Sequence, residues 1–305
     1  MVQQTDFFGY EKYTIASAEL QVSVITLGAT VTSIQFAGRE TVLAHQTAQH
    51  YFEAEGYVGA IIGRYANRIR EATAEIDGKP CHLTPNEGRH HLHGGPDAFD
   101  RRRWDAEVLS ESAVKFTLFS PHGDNGYPGN LTAAVTYTVT GSSLRIDFEG
   151  DCDAPTLYAP TTHIYFNLGS TASILETQLR INADAVVETD GELLPTGRLL
   201  PCEGVYDFRR LRPIRQSYDH CFLLNSPQAC VAAYGDIGMA LETDYPGLQL
   251  YTGECLNMDL KSGSGFAVEP AFPPDSPNCA TFPSPLLMPG QHYRKYIHYR
   301  FVQNK

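Results

Sequence analysis

Three short stretches of the 305-residue chain concentrate side chains that move protons or hold ions. In GRHHLHGGPD, residues 88–97, His91 and His93 stand two apart, so on a strand both face one side. Such an H-x-H pair, with a carboxylate and a distant histidine, is how cupin-type barrels hold iron or manganese. That pattern wants a glutamate a few residues on, whereas Gly94, Gly95, Pro96 and Asp97 follow and end the strand. The paired glycines point instead to backbone lying close against something, with one histidine at the rim of a cleft. In APTTHIYFNL, residues 159–168, His163, Tyr165 and Asn167 share one strand face, and Ile164, Phe166 and Leu168 share the other. Lysine or threonine would serve a plain solvent face, so this row reads as hydrogen-bonding groups for a ligand. In GSGFAVEPAFPPDSPN, residues 263–278, Glu269 ends a short apolar strand that Pro270 is expected to stop. A carboxylate on an inward face loses hydration, its pKa rises, and it becomes a general base useful near neutrality. Asn67-Arg68 in GRYANRI and Asp219-His220 in SYDHCF complete the polar candidates.

A histidine able to donate a proton and a glutamate able to accept one, far apart in sequence, can work on opposite sides of one substrate. No nucleophile elbow, phosphate-cradling glycine loop or dinucleotide fingerprint accompanies them. The inventory favours proton transfer on a polyhydroxylated small molecule, with aromatic and amide side chains as its stacking surface and hydroxyl partners.

The elements that must hold these groups read as strands. Val114, Phe116 and Leu118 alternate with polar or small residues in VKFTLFS, as do Leu144, Ile146 and Phe148 in SLRIDFE. Leu248 and Leu250 alternate with Gln249 and Tyr251 in LQLYTG. Turn signals separate such runs, at Asp77-Gly78, Gly126-Tyr127-Pro128-Gly129, Gly141-Ser142 and Pro289-Gly290. The best helical stretch, TAQHYFEAEG at 47–56, is short. The 26 glycines, 19 prolines and 17 tyrosines agree with a strand-rich, turn-rich chain. No linker, repeat or low-complexity tract interrupts it, so the fold class is all-β, a large antiparallel β-sandwich in one domain spanning 1–305.

Charge and cysteine usage bound the setting. With 23 basic against 35 acidic residues the formal charge is −12, which argues against nucleic acid and anionic membrane surfaces as partners. Seven cysteines, at 81, 152, 202, 221, 230, 255 and 279, contain no CxxC pair and read as reduced, mostly buried thiols. Asp6, Glu11 and Glu19 interrupt any signal-peptide core, and no apolar run reaches the roughly 18–20 residues that span a bilayer. A cytoplasmic protein is expected.

Taken in order, GRYANRI (63–69), HLHGG (91–95), GDNGYPGNL (123–131), THIYFNL (162–168), YDHCF (218–222), GLQLYTG (247–253), AVEPAFPPDSPN (267–278) and LMPGQHY (287–293) resemble the aldose 1-epimerase, or galactose mutarotase, family. Any one motif is weak; eight in order are specific, and they cover nearly the whole chain. The resemblance implies a galactose mutarotase-like sandwich with an open cleft, no cofactor and no metal. It implies an isomerase of carbohydrate metabolism that interconverts the α and β anomers of an aldohexose such as galactose or glucose, as a monomer or homodimer. Position by position, His163 matches the general acid that protonates the ring oxygen and Glu269 the general base that deprotonates the C1 hydroxyl. His93 matches a second histidine that hydrogen-bonds the reacting sugar. Asn67, Arg68, Tyr165, Asp219 and Gln249 match positions that bind sugar hydroxyls. Thr162, Ile164 and Ala271 stand where the family commonly has Asn, Ser and Gln, and these departures are expected to affect which sugar fits. Arg101, Arg102 and Arg103 would suit a phosphorylated hexose, but their Phe-Asp-basic-x-x-Trp context favours a structural role. Two alternatives remain: a non-catalytic sugar-binding module on the same fold, and a metal-dependent isomerase built on His91 and His93.

Overall fold

Alternating apolar residues build the largest layer of the computed structural model, which describes residues 2–170 and 173–303. Val114 and Phe116, Val135 and Tyr137, and Leu144, Ile146 and Phe148 are each almost fully buried, while their neighbours along each strand face the other way. These strands belong to a nine-stranded antiparallel sheet. Its order is Asp105–Ser110, Ala113–Ser120, Leu131–Thr140, Ser143–Cys152, Tyr293–Gln303, Ile237–Thr243, Gln228–Tyr234, Gln178–Ile181, Arg212–Pro213. Tyr293–Gln303 thus sits mid-sheet, joining strands distant in sequence. The Gly141-Ser142 signal becomes a two-residue turn between Thr140 and Ser143, and Asp77-Gly78 does the same between Ile76 and Lys79.

Two further sheets pack on this layer. The five-stranded one, Gln3–Phe7 through Arg39–Glu40, meets it where the rings of Tyr13 and Phe116 lie 6.0 Å apart and those of Phe36 and Phe301 5.6 Å apart. The six-stranded one runs Tyr165–Phe166, Phe266–Ala271, Gly247–Tyr251, Asp219–Leu224, Ala183–Thr189, Pro195–Pro201. It meets the large sheet through Phe166 and Tyr299, with ring centroids 5.1 Å apart. All three sheets feed one apolar cluster. Each large side chain buried there stabilises the fold by about 1.5–3 kcal/mol. The expected helix is Ala48–Glu53, with the Thr47 hydroxyl accepting the His50 N–H at 3.2 Å.

Two local expectations are corrected. Residues 159–168 do not form one strand: Thr161–Thr162 pairs with Ile61–Ile62, and Tyr165–Phe166 pairs with Phe266–Ala267, with His163 and Ile164 between them. Nor does Pro270 stop its ladder, because the strand continues to Ala271 and Pro270 stands opposite Leu248. Its carbonyl accepts the Thr161 hydroxyl at 2.6 Å, so its ring nitrogen also faces that side, where the Tyr165–Phe166 strand has already ended. No N–H is needed there.

The seven cysteines are unpaired thiols, three buried and four half-buried, so fewer are fully buried than expected. No helix among the described residues is long and apolar enough to cross a membrane.

Candidate active site

Register on the six-stranded sheet decides which polar groups meet. Directly opposed residues on neighbouring strands share a face, as do residues two apart along a strand. Glu269 opposes Gln249, which opposes Cys221; two residues along, Tyr165 opposes Ala267, which opposes Tyr251, which opposes Asp219. One face therefore presents Glu269, Gln249, Asp219, Tyr165 and Tyr251 to a cleft of about 440 Å³. The other face sends Phe266, Val268, Leu250 and Phe222 into the core.

The opposite wall comes from the short pair Arg68–Ile69 and His91–Leu92. Asn67 and His93, which flank it, both have left-handed backbones, with φ of +70° and +53°. The Asn67 N–H donates to His93 Nδ1 at 3.1 Å, so the ring proton sits on Nε2 and that nitrogen is the donor. The turn continues through Gly94 at φ +94°, where a Cβ would run into the Gly63 carbonyl. The paired glycines thus mark close backbone approach beside a cleft histidine, as their spacing suggested.

That same turn overturns the expectation that His91 and His93 face one way. The strand ends at Leu92 and the chain turns at His93, so His91 points into the protein. Its Nδ1 lies 2.6 Å from the Thr84 carbonyl and its Nε2 2.7 Å from the Tyr127 hydroxyl. Both nitrogens are engaged, and the H-x-H ligand pair of the metal-dependent alternative does not exist.

His163 is fixed by its own backbone, whose N–H donates to Ala60 O at 2.9 Å and whose carbonyl accepts the Gly59 N–H at 2.8 Å. Its Nε2 stands 3.5 Å from Glu269 Oε1, and both side chains are about 5% exposed. Burial, reinforced by the Asp219 charge, pushes the Glu269 pKa well above the usual carboxylate range. Burial pulls His163 down to about 4, and burial with the neighbouring His163 pulls His93 well below its usual value. Asp219 is also raised by burial, although Arg68 and the Gln249 amide, which donates to it at 2.5 Å, oppose that shift. Arg68 is held by Glu87 through two contacts of 2.7 and 2.8 Å. His163 Nδ1, the Tyr165 hydroxyl and Gln249 Oε1 are buried without a hydrogen-bond partner among the described residues. Each costs about 1–3 kcal/mol in that state, and a polyhydroxylated ligand satisfies such groups.

All eight candidates, Asn67, Arg68, His93, His163, Tyr165, Asp219, Gln249 and Glu269, line this one cleft. Asn167 does not: its side chain accepts the Gly169 N–H at 3.0 Å in the turn that follows. His220 also turns away, to the Tyr206 hydroxyl at 3.1 Å. Thr162, Ile164 and Ala271 are buried but absent from the lining, so their departures from the family do not reshape the cleft wall directly. Arg102 pairs with Asp97 and Asp124, and Arg103 with Glu11 and the Tyr10 ring, which are structural roles as expected. Arg101 instead reaches the rim, where its guanidinium donates to the Phe52 carbonyl and lies 3.8 Å from Asp100.

Tyr57, Tyr251, Asp100 and Glu87 also line the cleft and were not singled out from sequence. Period-two spacing from Gln249 marks Tyr251. Tyr57 carries no such signal, yet its ring lies 4.7 Å from His93 and 6.1 Å from His163.

A model of the family described as aldose 1-epimerase matches residues 11–300. Rat galactose mutarotase is 37% identical over 95% of this chain and 94% of its own. The chain belongs to the aldose 1-epimerase family. A Haemophilus influenzae aldose 1-epimerase is 36% identical over 91% of this chain and 92% of its own. Among solved structures, an aldose epimerase homologue from C. elegans superposes with a TM-score of 0.92 at 28% identity, covering 100% of both chains. The expected galactose mutarotase-like fold is therefore the observed one.

Proposed function

We propose that the chain is a mutarotase that opens and recloses the hemiacetal of a neutral aldohexose, such as galactose or glucose, with Glu269 and His163 as its proton-transfer pair. The 3.5 Å contact between them carries this reading. The two oxygens to be served, O1 and O5, are bonded to the same carbon, so an acid and a base acting on both must themselves be neighbours.

In its working state the pair holds one proton to exchange. Two forms differ only in where it sits: carboxylate with imidazolium, or carboxylic acid with neutral imidazole. From the ionic form, Glu269 takes the O1 proton as His163 gives its proton to O5, and the C1–O5 bond breaks to the open-chain aldehyde. The pair is then neutral, which is the form that burial favours by raising one pKa and lowering the other. Rotation about C1–C2 presents the other carbonyl face, and closure with both roles reversed gives the opposite anomer. Each group contributes about 10²–10⁴-fold. The Nε2–H of His93 donates to the reacting sugar, while Asn67, Arg68, Tyr165, Asp219 and Gln249 hold its hydroxyls. No step calls for a redox change.

The same reading treats residues 1–305 as one catalytic domain, supported by the apolar cluster common to all three sheets, and places it in the cytoplasm, in keeping with its unpaired thiols. A non-catalytic sugar-binding module would dispense with the acid or the base, and this chain retains both. Polarimetry on freshly dissolved α-D-galactose and α-D-glucose tests the proposal: relaxation of both must outpace buffer, and equal rates sink it.

A further inference from the structure

Apart from the sugar cleft, one group of side chains has the chemistry of a metal site. We propose that His45, His50 and Asp259 bind a divalent cation of the zinc class, tying together two rims of the cleft. Their ligand atoms all lie within 4.8 Å of one another, the one such group among the described residues. His45 Nδ1 stands 2.5 Å from Asp259 Oδ1, and His50 Nδ1 lies 3.2 Å from the same oxygen. His50 Nδ1 is buried yet makes no hydrogen bond there, so its lone pair is not committed to a protein partner. Asp259 Oδ2 accepts the Gln46 N–H at 2.8 Å, which orients the carboxylate and turns Oδ1 toward both imidazoles. The His45 ring is 1% exposed and packs edge-on to Tyr51 at 5.1 Å, while the Tyr51 hydroxyl accepts the His45 N–H.

Two imidazoles and one carboxylate form a borderline-soft donor set, suited to zinc and its neighbours rather than to magnesium. A cation with bonds of about 2.0–2.2 Å places its ligands a little over 3 Å apart, as His50 Nδ1 and Asp259 Oδ1 already stand, while the 2.5 Å hydrogen bond between His45 Nδ1 and Asp259 Oδ1 must open to admit it. His50, about a third exposed, leaves the site open to solvent for ion entry and for water as a further ligand.

The consequence is mechanical. His50 rides on Ala48–Glu53, which also carries Tyr51 into the cleft lining, and Asp259 follows Cys255, which lines the cleft on a stretch of rim distant in sequence. A bound cation would fasten these rims without touching the proton-transfer pair.

Untagged full-length chain, stripped with chelator and dialysed, would be titrated with zinc chloride by calorimetry, with its melting temperature followed in parallel. One ion per chain and a rise of a few degrees are expected, with no rise from magnesium at the same concentration. His50→Ala and the near-isosteric Asp259→Asn should each weaken zinc binding more than about tenfold. No saturable one-to-one binding, unchanged affinity in both variants, or an equal rise with magnesium overturns the site. These outcomes are independent of sugar turnover, so they stand or fall apart from the mutarotase reading.

Discussion

At Glu269 and His163 the demands of stability and of chemistry diverge. Both are buried where their charged forms are disfavoured, and apart from each other they have little in the cleft to compensate. Glu269→Gln keeps the shape and removes the proposed base, so polarimetric kcat/KM should fall about 10²–10⁴-fold. The sign of the stability change is opposite. The raised pKa means that native Glu269 keeps a proton which the unfolded chain releases above about 4.5, so its contribution is lost as pH rises. The variant should therefore be more stable than the parent at pH 7 by roughly 0.5–2 kcal/mol, with the gap in urea midpoint opening as pH rises above about 4.5. A variant less stable at every pH would remove the desolvation argument. His163 behaves conversely: its depressed pKa gives stability that is present above 6.5 and lost as pH falls toward about 4. On the proposed mechanism a second proton on the pair blocks the base, so the spontaneous-corrected rate should fall with an acid limb near 4. His163→Asn should abolish most activity without unfolding the protein. Much of this was legible in the sequence, because His163 stood in a row of hydrogen-bonding side chains and Glu269 on an otherwise apolar strand. That they touch was not legible, since 106 positions separate them and only strand pairing brings them together.

At the scale of the element, the wall formed by residues 67–68 and 91–95 depends on backbone shape more than on side chains. In the sequence the glycine pair marks the turn, but alternation carries the strand through His93, because a left-handed turn at a histidine has no periodic signature. Gly94→Ala tests what that turn is worth. It combines the left-handed φ with collision against the Gly63 carbonyl, whereas Gly123, at φ +83°, has open space around its Cβ position. Gly123→Ala should cost about 1–3 kcal/mol from backbone strain alone. Gly94→Ala should cost more, and by displacing His93 should lower kcat/KM at least tenfold, as read by urea midpoints and polarimetry side by side. Equal destabilisation in the two variants would mean that the wall yields easily. The Thr161–Phe166 segment teaches a related lesson. Alternation placed His163 and Tyr165 together correctly, but it also enrolled Asn167, which serves the turn after the strand.

For the whole molecule, the −12 charge has a local counterpart. Besides Glu269, whose charge burial disfavours, the cleft lining carries Glu55, Glu87, Asp100 and Asp219 against Arg68 and Arg101. Arg68 is spent on Glu87, and Arg101 on the Phe52 carbonyl and Asp100. A neutral sugar meets no penalty there, whereas a phosphate finds acidic surroundings and, among the described residues, no uncommitted cation in the lining. KM for a hexose 6-phosphate should exceed that for the free hexose by more than about tenfold, while kcat/KM for the free sugar should hardly respond to salt. Comparable KM values would show that the arginines release their partners on binding.

By itself the sequence determined the all-β class, the turns, the chemistry-bearing segments and, through eight ordered motifs, the family. Those are local properties, written in period, residue type and spacing. Only the tertiary structure decided which polar groups face one another: that Glu269, Gln249 and Asp219 share a face, that His93 joins them while His91 turns inward, and that His45 and His50 converge on Asp259. Those facts depend on register between strands far apart in the chain, and a shift of one residue would send each side chain to the opposite face.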